Sequence, residues 1–144
     1  AGAPKLKYIH KMNYNKLIIS FLAAIIVIVC IKDSANALPR SSSSLLQTLK
    51  SAVAAGNRCE TYLIKLVGSG QYVTKSNLNT FNTNCKSMMK YNQIITSWSK
   101  SSAWVSTFTS YANQRPEINR WGNQWVRLQR SVTLKLRKAT LPRR

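Results

Sequence analysis

The chain has 144 residues, 44% of them hydrophobic, and its 22 Lys+Arg against three Asp+Glu give a formal net charge of +19. One histidine (His10) and three carboxylates are too few for most acid–base catalysis. Beyond Cys30 the chain keeps two cysteines and no histidine, which makes no zinc-ligand set. An enzyme and a metal protein are therefore disfavoured from the start, whereas an attraction to anionic partners is favoured.

Residues 1–11 (AGAPKLKYIHK) precede the first methionine, Met12, and are read as upstream reading frame or added sequence. The segment 12–37 then has the three parts of a secretory signal peptide. Lys16 supplies the basic start, and residues 17–31 (LIISFLAAIIVIVCI) form an apolar run with Ser20 as its one polar member. Ala35 and Ala37 provide the small residues that a signal peptidase pocket accepts, which predicts cleavage after Ala37. A run of fifteen also falls short of the roughly 20 apolar residues that span a bilayer as a helix. The alternatives are an uncleaved anchor or a buried helix.

Cleavage there leaves a mature domain, 38–144. Five cations (Lys5, Lys7, Lys11, Lys16, Lys32) and Asp33 fall before the cut, so seventeen Lys and Arg remain against Glu60 and Glu117. Cys30 leaves with the signal. Cys59 and Cys85 remain as an even pair in a chain bound for an oxidising compartment, which predicts one disulfide.

The mature chain opens with LPRSSSS, expected as a loose arm over 38–43 that ends in a helix cap. Leu45, Leu46, Leu49, Ala52 and Val53 follow with helical spacing. Gly56-Asn57 leaves a break or bend open within this helix, and Cys59, Tyr62, Leu63, Leu66 and Val67 resume the face. Gly68-Ser69-Gly70 is the stop, giving a helix over 44–67.

A second helix is predicted over 76–100. Leu78, Phe81, Cys85, Met88, Asn92 and Ile95 make its stripe, with Asn92 the one polar member. Cys59 lies nine residues before Gly68 and Cys85 ten after Lys75. At about 1.5 Å of rise per residue the two thiols stand at similar height over one turn, as a stapled antiparallel hairpin requires. Residues 102–113 continue with Trp104, Val105, Phe108, Tyr111 and Ala112, read as a third helix although the β-branched and aromatic content keeps a strand open. Arg115-Pro116-Glu117 opens the last helix, 116–138, with proline in the first turn and Glu117 at the positive dipole end. Ile118, Trp121, Trp125, Leu128, Val132 and Leu136 form its apolar stripe. The ends 139–144 are expected to be loose. The fold class is thus all-α, a small three- or four-helix bundle with one disulfide-stapled helical hairpin.

No nucleophile motif, phosphate loop or metal constellation appears, so no catalytic residue, cofactor or metal is assigned. A Ser–Lys pair is the one nucleophile arrangement left open. The mature chain has no Asn-x-Ser/Thr sequon, so no N-glycan is expected to mask its charge. Candidate anion-binding residues are Arg120, Arg127, Arg130, Lys135, Arg137 and Lys138, with Arg143 and Arg144 in the tail. Trp121 and Trp125 are candidate membrane contacts, because a helix with tryptophans on one face and cations on the other can lie in a bilayer interface. The same stripe equally serves as the core contact of a bundle. The expected function is a non-enzymatic secreted protein that binds an anionic glycan or an acidic lipid surface. The alternatives are membrane disruption in the manner of an antimicrobial or toxin, or a dedicated extracellular protein partner. Nucleic acid is the weaker polyanion, since a secreted protein meets it less often.

Overall fold

The computed structural model describes residues 37–140. The predicted signal segment and the tail residues Arg143 and Arg144 lie outside this range. Four helices follow one another: α1 (Ser42–Gly68), α2 (Leu78–Ser99), α3 (Trp104–Gln114) and α4 (Glu117–Thr140). Among the described residues there is no strand, so the aromatic stretch at 103–111 is helical. Its apolar side chains Trp104, Phe108 and Tyr111 recur every three or four residues and pack on one side.

Serine starts the bundle. The Ser41 side chain accepts a hydrogen bond from the Ser44 N–H at 3.1 Å, satisfying one of the free amides of the first turn of α1. At the other end Ser69 N–H donates to Lys65 O, Gln71 N–H donates to Leu66 O, and Gly70 takes φ 71°. That positive φ is the reason a glycine stands there.

α1 runs through Gly56-Asn57 without interruption, as the single helix over 44–67 predicts. The glycine serves packing. A Cβ on Gly56 would stand 3.0 Å from Leu128 Cδ1, so its absence lets α1 and α4 approach closely. Lys50 faces Trp121, Gly56 faces Leu128 and Glu60 faces Ser131, so α1 and α4 run parallel. α2 runs against both, with Cys59 meeting Cys85 on one side and Asn92 meeting Gln129 on the other. The short α3 makes the crossover possible.

Two apolar clusters fill the bundle. One holds Ala52, Val53, Cys59, Leu63, Phe81, Cys85, Met88, Trp125, Leu128, Val132 and Leu136 around the disulfide. The other gathers Leu45, Leu46, Leu49, Trp98, Ala112 and Ile118, and against it pack Trp104 and Phe108. Ring centroids are 5.5 Å apart for both Trp98–Trp104 and Trp104–Phe108, within the range where aromatic pairs attract.

The arm at 38–43 is docked rather than loose. Tyr111 Oη donates to Pro39 O at 2.7 Å and Arg115 Nε donates to Ser42 Oγ at 3.1 Å, while Trp98 Nε1 donates at 2.9 Å to the carbonyl of Ala37, the residue just before the predicted cut. Buried aromatic N–H and O–H groups need acceptors, and the backbone at Ala37 and Pro39 supplies them. At the far end α4 continues to Thr140, past the expected limit at 138. Ala139 there is fully buried, and its carbonyl accepts from Val73 N–H at 3.0 Å.

Candidate functional site, the solvent face of the last helix

The Cys59–Cys85 disulfide forms as the spacing predicts, with Cα atoms 4.5 Å apart and both cysteines fully buried. It holds α2 on one side of α1. The Asn92–Gln129 hydrogen bond ties α2 to α4 in turn, so the three helices close around one core. One side of α4 is thereby committed to packing through Ile118, Trp125, Leu128, Val132, Leu136 and Ala139.

The opposite side of α4 faces solvent. Arg120, Arg127, Arg130, Arg137 and Lys138 are all exposed. At 100° per residue they fall within an arc of about 100°, and from Arg120 to Lys138 they span about 27 Å of axis. Leu134 lies inside this arc with 55% of its surface exposed. The result is a narrow cationic ridge along one edge of the bundle.

Lys135 stands apart from the ridge. It is half-buried at the seam with α1, where its Nζ donates to Ser131 Oγ at 2.8 Å. Ser131 Oγ in turn donates to Glu60 Oε2 on α1, and Arg127 lies 3.6 Å from the same oxygen. This is the Ser–Lys pair that the sequence left open. The hydrogen bonds run from ammonium to hydroxyl to carboxylate, so the serine joins two charges across a helix interface. Glu117 is no partner for Glu60, since it sits at the start of α4, about 21 Å along the axis from Ser131. Among the described residues no three His, Cys, Asp or Glu come together as a metal group.

The two tryptophans separate. Trp125 is 2% exposed within the main cluster, so its ring does not meet solvent in this fold. Its position on the apolar stripe is explained by core packing. Trp121 is half-buried at the edge, with Lys50 Nζ and the Arg120 guanidinium each 5.8 Å from its ring. These are cation–π distances, and they set two cations beside one end of the ridge. Sequence reasoning missed Lys50, although its place between Leu49 and the apolar pair Ala52 and Val53 marked it as a solvent-edge residue. It also missed the Glu60–Ser131 link, for which the sequence carries no local signal.

Among the described residues no helix is long and apolar enough to cross a membrane. No protein-family model matches the chain, and no curated protein and no solved structure is significantly similar to it.

Proposed function

We propose that this is a non-enzymatic, exported helical protein that binds an anionic surface through the solvent face of α4. The carrying observation is the ridge of Arg120, Arg127, Arg130, Arg137 and Lys138 on a helix whose other side is fixed in the core. Of the acidic residues near it, Glu60 is bonded to Ser131 and Arg127, and Glu117 stands at the start of α4, one turn before Arg120. A single-sign surface of this kind concentrates anions near it and speeds their encounter. Export is supported by the signal-like segment 12–37 and by a buried disulfide, which persists in oxidising compartments.

Membrane disruption by tryptophan insertion is the weaker reading, because Trp125 is buried and Trp121 is pinned between the core and two cations. A salt series tests the proposal. Binding to heparin or to phosphatidylserine vesicles should be present at low ionic strength and fall steeply as salt rises. Binding that persists in salt with a blue shift of tryptophan emission would support insertion instead. Failure to bind either anionic probe at low ionic strength would overturn the proposal and favour a dedicated protein partner.

A further inference from the structure

Among the anionic partners that the proposed function allows, we infer that the ridge of α4 takes a linear sulfated polysaccharide. This inference rests on that reading and narrows it to one class of ligand.

The shape of the charge is the first argument. The exposed cations form a strip about one side chain wide and about 27 Å long, bounded on the α1 side by Glu60 and the seam that it closes. A polymer with anions along its length can follow such a strip and meet each cation in turn. A bilayer presents a plane, which the ridge meets only along a line; the exposed cations Lys50, Arg58, Lys65, Lys86 and Lys90 stand on α1 and α2 rather than in the ridge.

The second argument is the identity of the cations. Four of the five are arginine, whose planar fork donates two parallel hydrogen bonds to one sulfate or carboxylate. Lysine would serve a diffuse field equally well. The arginines are also held on a helix that is rigidly packed over its whole length, so little order is lost when a stiff polymer settles on them.

The third argument concerns apolar surface. Interfacial binding to a bilayer needs a continuous apolar face. The large exposed apolar side chains here are Ile64, Val105 and Leu134, one on each of three helices. Among the described residues no face remains to insert. Nucleic acid shares the linear charge, but single strands are held by stacking on exposed aromatic rings. The nearest ring, Trp121, is half-buried and already faces Lys50 and Arg120.

The test uses the disulfide-intact protein and two charge-matched variants. Arg120→Gln, Arg130→Gln and Lys138→Gln together remove three charges from the ridge. Lys65→Gln, Lys86→Gln and Lys90→Gln remove three exposed charges from α1 and α2. All six side chains are exposed, and circular dichroism and thermal unfolding confirm that both variants keep the fold. Probes are heparin, chemically desulfated heparin, single- and double-stranded DNA, and phosphatidylserine vesicles at matched ionic strength.

Heparin should bind most tightly, with desulfation weakening it. Each exposed ionic contact contributes a few-fold, so the ridge variant should lose on the order of tenfold or more in heparin affinity. The α1/α2 variant should lose less than about threefold, the effect of net charge alone. Equal losses in the two variants would overturn the ridge assignment. Preference for vesicles or for DNA over heparin would overturn the polysaccharide while leaving an anion-binding function standing. Absence of binding to every probe would overturn both.

Discussion

Gly56→Ala sets two effects of opposite sign against each other. In an exposed helix interior the change stabilises by about 1 kcal/mol, because glycine loses more backbone freedom on folding. Here Gly56 is buried, and the added carbon would stand 3.0 Å from Leu128 Cδ1 and 3.3 Å from Leu128 Cβ. A rotamer change would relieve the first contact in a loose site. Leu128 is 0% exposed within the main cluster and has nowhere to turn. The second contact is fixed to the backbone of α4, so the helices themselves must move by a few tenths of an ångström. Overpacking of this kind costs about 1–3 kcal/mol. The clash therefore wins, with a net loss of about 1 kcal/mol, or about 4–8 °C in the unfolding midpoint of a domain this size. Thermal unfolding of a double-mutant cycle with Leu128→Ala isolates the cause. Leu128→Ala alone should cost about 2–5 kcal/mol. In its background the 3.0 Å contact with Cδ1 is gone while the 3.3 Å contact with Cβ remains, so the cost of Gly56→Ala should shrink toward zero. A Gly56→Ala single variant with a raised midpoint would refute the close approach of α1 and α4.

The remaining expectations concern the staple, the seam and the one perturbed hydroxyl. Replacing Cys59 and Cys85 by alanine opens a loop with a sequence separation of 26. The closure entropy predicts a loss of about 3–4 kcal/mol, seen as a midpoint lowered by well over about 10 °C; a drop of a few degrees would count against it. Glu60→Gln should weaken the fold by about 1 kcal/mol, since Arg127 is 61% exposed and its ion pair is screened. The same change should strengthen heparin binding by removing a negative charge from the ridge flank, so chemical denaturation and affinity should move in opposite directions. Burial raises the Tyr62 hydroxyl above its ordinary value of 10.0. Its neutral form therefore contributes stability in full below that value, and the contribution is lost as pH rises through the raised one. Phenolate absorbance should show a tyrosine titrating above the ordinary range, absent in Tyr62→Phe.

The fold was legible wherever one periodicity ran uninterrupted. The stripe Ile118, Trp121, Trp125, Leu128, Val132 and Leu136 specifies a helix and its buried side without any knowledge of the partner helices. The cysteine heights likewise follow from local geometry, because both thiols are measured from the same turn. The role of Gly56 stayed open in the sequence because a glycine inside a helical pattern has two physical meanings. One is a weak point of the backbone, and the other is a place where a second helix comes near. Only the position of Leu128 distinguishes them. The arm at 38–43 was misread for a related reason. Its own residues are polar and turn-forming, but what fixes it are the needs of Tyr111 and Arg115, distant in sequence.

The site divides along the same line between local and distant causes. That Arg120, Arg127, Arg130, Arg137 and Lys138 share a side of one helix is a property of their spacing. That this side meets solvent follows from the same stripe, since a helix with one buried face must expose the other. Which cations remain available is a tertiary matter. Lys135 is drawn to the seam because Ser131 and Glu60 stand there, and Lys50 joins the ridge end because α1 runs parallel to α4 beside Trp121. Trp125 shows the limit of reading amphipathicity from a single helix. A face with tryptophan opposite arginine suits a bilayer interface and a bundle core equally well, and the choice between them is made by the other helices. Once Leu128, Val132 and Leu136 are buried against α1, releasing Trp125 to a membrane would mean opening the core. Surface binding through the arginines requires no such opening, so the folded bundle favours it.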